Sequence, residues 1–110
     1  MIKPKYISGV VTFYKKTPMS MIHQIIESLS LATECLWYPS IKDGYECKHK
    51  DIASQLKPTI IKYIIQENKN VIKYFQLDLY NMDVFPDVSI SIGTNQNHKV
   101  KIWKKEVKNG

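Results

Sequence analysis

Tyr6-Ile7-Ser8-Gly9-Val10-Val11-Thr12-Phe13-Tyr14-Lys15 is the stretch from which the fold is read. Its residues alternate. Ile7, Val11 and Phe13 fall on one side, and Tyr6, Ser8, Thr12 and Tyr14 on the other. A period of two is the signature of a half-buried strand. Gly9 lies on the apolar side, where a missing side chain leaves room for a close neighbour.

The pattern changes at Thr17-Pro18. Thr17 offers a capping oxygen and Pro18 suits a first helical position. Ile22, Ile25, Ile26 and Leu29 then recur at helical spacing, which predicts a helix to about Leu31. Thr33 to Tyr38 is short and apolar and ends at Pro39, and Asp43-Gly44 is a turn signal. A hairpin pairing the Cys35 region with the Cys47 region follows. Asp51 is a candidate cap for a short helical segment, Ile52 to Leu56. Pro58 restarts the helix and pushes Lys57 toward extended backbone. Ile60, Ile61, Ile64 and Ile65 form the second apolar stripe, and Asn68 and Asn70 stop it.

Three more alternating runs complete the chain. Val71 to Tyr80 sets Val71, Phe75, Leu77 and Leu79 against Tyr74, Gln76, Asp78 and Tyr80. Val88 to Thr94 sets Val88, Ile90 and Ile92 against Ser89 and Ser91. After a loop at Asn95-Gln96-Asn97, His98 to Glu106 sets Val100 and Ile102 against Lys99, Lys101, Trp103 and Lys105. Two helices with one apolar stripe each and strands with one aliphatic face predict a single α+β domain. It is a two-layer sandwich, a mainly antiparallel sheet with both helices on one face. The expected core is Ile7, Val11, Phe13, Ile22, Ile26, Leu29, Ile61, Ile65, Phe75, Leu77, Ile90, Val100 and Ile102.

The chain has 110 residues, enough for one domain to bury a core without disulfide or metal. Cys35 and Cys47 are expected as thiols, and the N-terminus carries no signal core, so a cytoplasmic protein is expected. The net charge is +6, and all sixteen basic residues are lysine. Without arginine there is no planar fork to grip a guanine or a phosphate by two bonds. Lysines still supply a diffuse field for an acidic partner or for nucleic acid.

Motifs for chemistry are weak. His23 and Glu27 share a helical face but lack a third metal ligand. Cys35, Cys47, His49 and His98 could suit zinc by type, yet match no finger or ribbon spacing. Asp78, Asp83 and Asp87 do not follow the calcium-loop order. No glycine-flanked serine elbow and no phosphate-cradling loop is present. No catalytic residue, cofactor or metal is therefore expected.

The uncovered sheet face is the better candidate. Tyr74, Tyr80, Lys99, Lys101, Trp103 and Lys105 lie on it, and Asp83 and Asp87 mark an acidic loop beside it. Tyr and Trp on a polar background anchor protein interfaces, although Tyr and Thr also favour strands for their own sake. If that face is plain solvated surface, the contact is to be sought at the Asp78 to Asp87 loop or around Trp37 and Tyr38.

In kind, the chain resembles the small immunity proteins of bacterial contact-dependent toxin–immunity pairs. The likeness lies in one compact α+β domain, an AT-rich residue bias, the lack of a catalytic motif and an aromatic exposed surface. It implies a cytoplasmic, non-enzymatic antitoxin that binds a cognate protein toxin and spans no membrane. Two other classes are weighed beside it: a lysine-rich nucleic-acid-binding module using the Tyr/Trp/Lys face, and a small metal-dependent hydrolase using His23, Glu27 or the acidic loop.

Overall fold

The computed structural model describes residues 4–50, 56–81, 85–92 and 99–104, with Lys50 described by its backbone alone. Its elements run β1 (Tyr6–Phe13), α1 (Met19–Thr33), β2 (Tyr38–Pro39), β3 (Tyr45–Lys50), α2 (Pro58–Glu67), β4 (Ile72–Tyr80), β5 (Val88–Ile92) and β6 (Val100–Lys104). The strands form one sheet in the order β2-β3-β1-β4-β5-β6, and every neighbouring pair is antiparallel. Both helices contribute to one buried cluster with the aliphatic side of this sheet. The expected α+β sandwich, with both helices on one face, is the observed architecture.

β1 sits inside the sheet, between β3 and β4, and its alternation is followed residue by residue. Ile7, Val11 and Phe13 are buried beside Phe75, Leu77, Leu79, Ile90 and Ile92. From the helices come Ile25, Leu29, Ile61 and Ile65. Ile22, Ile26, Val100 and Ile102 are half-buried at the margin of the same cluster rather than inside it. For Val100 and Ile102 the reason is position, because β6 is an edge strand.

Several boundaries differ from the sequence reading, each for a local reason. Thr17 does not cap α1. Its hydroxyl donates to the Tyr14 carbonyl (2.7 Å), and Pro18 becomes the boundary residue, its carbonyl accepting from Met21 and Ile22 at 3.1 Å each. The helix continues past Leu31 to Thr33, whose hydroxyl bonds back to the Leu29 carbonyl (2.6 Å). In β4 the inward residue is Ile72, not Val71. Phe13 faces Ile72 while Thr12 faces Tyr74, so Lys73 is an extra residue that shifts the parity.

The hairpin forms, but its first strand is Tyr38–Pro39 rather than the Cys35 region, with Tyr38 opposite Glu46 and Pro39 opposite Tyr45. Pro39 is tolerated because β2 is the sheet's edge. Gly44 makes the turn at φ +74°, where a Cβ would also run into the Val11 carbonyl. Before α2, Lys57 is extended and Pro58 opens the helix as expected. Asn68 ends it, its side-chain amide donating to the Ile64 carbonyl at 2.7 Å. The segment from Asp51 to Gln55, and with it the expected cap at Asp51, lies outside the described residues.

Trp37, whose region is the fallback place for a contact, is a core residue with 3% exposure. Its indole occupies the space that Gly9 leaves. A Cβ at Gly9 would lie 2.5 Å from Trp37 Cη2, 2.8 Å from Leu77 Cδ1 and 3.1 Å from Cys47 Sγ. The ring stacks on Phe75 (centroids 6.1 Å apart, planes at 22°). Its Nε1–H donates to the Thr33 hydroxyl at 3.0 Å, so its one polar atom is satisfied. Between helix and indole stands Glu34, a non-glycine residue in the left-handed region at φ 50°.

Gly9→Ala should destabilise the fold by about 1–3 kcal/mol through overpacking, and by less in a Trp37→Phe background. Urea melts of the two single variants and the double variant check this, and equal costs in both backgrounds would refute the assigned contact. Glu34→Gly should raise stability by about 1 kcal/mol by removing the left-handed strain at the helix end, read as a higher urea midpoint at unchanged slope.

Candidate functional site

Strand register converts the outward residues into rows across the uncovered face. One row reads Trp103, Ser89, Asp78, Ser8, Lys48 from β6 to β3. The next reads Lys101, Ser91, Gln76, Val10, Glu46, Tyr38 and reaches β2. Tyr80 and Tyr6 close one end of the face, and Tyr74 and Thr12 the other. The middle is therefore made of small or short polar side chains, and the rim of aromatic and charged ones. No helix among the described residues lies over it, because both helices pack on the opposite side.

The centre is internally satisfied. The Ser89 hydroxyl donates to Asp78 Oδ1. The Gln76 side-chain amide donates to the same oxygen at 2.7 Å and to the Ser89 hydroxyl at 2.9 Å. Asp78 is thus held by two donors in the face. Beside it, Tyr80 packs on Tyr6 with ring centroids 5.5 Å apart and planes tilted at 55°. Desolvation raises the Tyr80 phenol pKa, and the Asp78 carboxylate adds to the effect. Tyr38 is likewise raised, by desolvation first and by the Glu46 carboxylate second.

The exposed anchors stand at the two edges. Trp103 is 53% exposed at β6, with Lys101 and Lys99 exposed on the same strand and just before it. At the other edge, Ile41 in the β2–β3 turn is fully exposed beside a shallow depression of about 470 Å³ that includes Val10, Thr12 and Glu46. A second depression of about 510 Å³ lies on the helix side of the same turn, between Phe13, Met19, Ile22 and Tyr45.

Of the expected contact residues, Tyr74, Tyr80, Lys101 and Trp103 occupy the face, and Lys99 is exposed just before β6. Asp87 instead sits half-buried at the β4–β5 turn, where its backbone N–H donates to the Leu79 carbonyl at 2.8 Å. Asp83 and Lys105 lie outside the described residues. Glu46, Lys48 and Ile41 were not singled out from the sequence. The alternation Tyr45-Glu46-Cys47-Lys48 carries the signal for the first two once β3 is paired to β1.

No cluster of three or more His, Cys, Asp or Glu side chains placed to hold a metal occurs among the described residues. His23 and Glu27 are exposed on α1, and His98 is outside the described residues. Cys35 and Cys47 are both free thiols, buried in the core cluster. Burial pushes both thiol pKa values up, that of Cys47 furthest.

The sequence matches no protein-family model, and comparison with curated proteins and with solved structures finds no counterpart. Among the described residues no helix is long and apolar enough to cross a membrane.

The raised thiol and Tyr80 values carry a pH consequence. The folded protein keeps protons that the unfolded chain releases. Their stabilising contribution is complete below the ordinary thiol value of 9.0 and is lost as the pH climbs through the raised folded values. Urea melts should show stability falling between about pH 9 and pH 10, with a shallower fall in a Cys35→Ala, Cys47→Ala double variant. An equal slope in both proteins would remove the thiols from the account.

Proposed function

We propose that this protein works by binding another protein through the uncovered sheet face, as a cytoplasmic immunity protein that occupies and neutralises a cognate toxin domain. The observation that carries this reading is the face itself. A pre-ordered hydrogen-bonded centre is bordered by Trp103 at one edge and Ile41 at the other, both exposed, with no described element covering them. Large apolar side chains exposed at the rim of a satisfied polar surface gain most when a partner removes them from water.

The chemistry of the partner follows from charge. Lys48, Lys99 and Lys101 outnumber Glu46 and the already engaged Asp78 around the face, and the whole chain carries +6. An acidic toxin surface complements this field and is steered by it. The reading assigns the protein no catalysis and no cofactor. The same lysines beside Trp103 also suit single-stranded nucleic acid, where bases stack on an aromatic ring. Salt separates the two, since phosphate binding weakens steeply as counterions are no longer released at a gain.

The test is a calorimetric titration against the cognate toxin domain, sought first in the product of the adjacent gene. Trp103→Ala should weaken binding by about 2 kcal/mol or more, with an unchanged melting curve. Lys101→Glu should mainly slow association, and less so at high salt. If Trp103→Ala alters neither stability nor affinity, the sheet face is not the contact. Tight, salt-sensitive binding of a single-stranded oligonucleotide without toxin binding would replace the proposal with the nucleic-acid reading.

A further inference from the structure

We propose that the groove between the start of α1 and the β2–β3 turn is a second docking site, which takes an acidic peptide segment by one apolar anchor side chain. The groove lies on the helix side of the turn, away from the uncovered sheet face, and does not rest on the partner-binding reading of that face.

Two elements outrun their packing here. β1 continues to Phe13, but its ladder with β3 stops where Val11 faces Tyr45. Gly44, which precedes Tyr45, adds no side chain to the groove wall. In α1 the apolar stripe reads Met19, Ile22, Ile26, Leu29, one face at helical spacing. Its burial fades toward the helix start. Leu29 is fully buried, Ile26 and Ile22 are half-buried, and Met19 is 60% exposed. The stripe thus continues one helical turn past its cover.

Between these ends lies an open groove of about 510 Å³, walled by Phe13, Met19, Ile22, Pro39 and Tyr45. Its volume is that of a ligand site, but it is not enclosed. Such a shape suits a side chain carried in on a peptide better than a small molecule surrounded on all sides. Met19 adds adaptability, because an unbranched thioether can repack around different anchors.

Charge selects the occupant. Lys15 lines the groove from the link between β1 and α1, and Lys42 from the β2–β3 turn. Exposed Lys16 follows Lys15, and Asp43 is the single carboxylate in the lining. α1 starts here with no acidic residue in its first turn and no side-chain cap, so the partial positive charge of its end is not offset locally. The whole chain adds a field of +6. A segment with carboxylates on both sides of an apolar residue matches this layout. The anchor packs against Phe13, Met19 and Ile22, and the carboxylates meet the lysines.

The experiment titrates the isotope-labelled full chain with a blocked pentapeptide, one leucine between two pairs of glutamates, and follows backbone amide shifts. The shifts should cluster at Tyr14, Lys15, Met19, Gly44 and Tyr45, and leave Ser89 and Lys101 on the sheet face unmoved. Met19→Asp should weaken binding about ten-fold or more, by loss of an apolar wall and repulsion of the glutamates. Lys15→Glu combined with Lys42→Glu should weaken it about five-fold or more, and added salt should reproduce that loss. All three side chains are exposed, so melting curves should stay unchanged. If a variant fails to fold, the peptide decides: glycine for the leucine, or lysines for the glutamates, should abolish binding. Trp103→Ala should leave peptide binding intact, so this site and the sheet face fail or stand separately. No shifts at millimolar peptide, equal binding of the lysine peptide, or shifts centred on Trp103 would each overturn the proposal. So would a dimer in sedimentation that Met19→Asp dissolves, since a second copy would then cover the groove.

Discussion

The seating of Trp37 over Gly9 is the contact on which the rest of the structure depends. A buried indole needs a flat apolar floor and a partner for its nitrogen. Gly9 and Phe75 provide the floor, and the Thr33 hydroxyl provides the partner. Through this one side chain, the end of α1 is tied to the two strands at the middle of the sheet. Tyr38 and Pro39 follow immediately, so placing the indole also delivers β2 to the sheet edge. Thr33 couples the two layers again, since its hydroxyl accepts from the indole while donating into α1.

With the helix layer committed to one side, the opposite face becomes a consequence rather than a separate design. Each strand that sends Ile, Leu or Phe inward must send its alternate residues outward. What is particular here is the distribution of those residues. Serines from β1 and β5 keep the centre low, while Tyr, Trp and Lys rise around it. Asp78 is the only carboxylate in the first of the two rows, and its bonds to Ser89 and Gln76 hold three side chains in fixed relation. A surface ordered in advance loses little side-chain entropy when it is covered.

The two layers were legible in the sequence because alternation in β1, β5 and β6 and the apolar stripes of Ile25–Leu29 and Ile61–Ile65 have different periods. The outward placement of Trp103, Lys101 and Tyr80 followed from the same alternation. Three features were not legible. Trp37 sits in a run of mixed residues with no period, and only the hole at Gly9, distant in sequence, explains its burial. The shift at Lys73 needs the partner strand, since a bulge is a property of a pair. The contribution of Glu46 and Lys48 required knowing that β3 joins β1. Thr17 has the composition of a cap, whose oxygen would accept from the first helical N–H groups, but no such bond forms and its hydroxyl donates to the Tyr14 carbonyl. Composition names a polar group without saying which partner will be in reach.

The edges of the sheet bear on whether such a chain pairs with copies of itself. A six-stranded open sheet ends in two rows of backbone groups that could template another copy of itself. At one margin the strand is only Tyr38–Pro39, too short to guide an incoming strand and carrying a proline that has no N–H to offer. At the other, β6 places Lys101 and Lys104 within a five-residue strand, so two copies approaching side by side would bring like charges together. Stacking into fibrils is opposed at both ends by the residues that shape the fold. Crowded conditions, in which many β-rich chains aggregate, are the setting where this construction matters most.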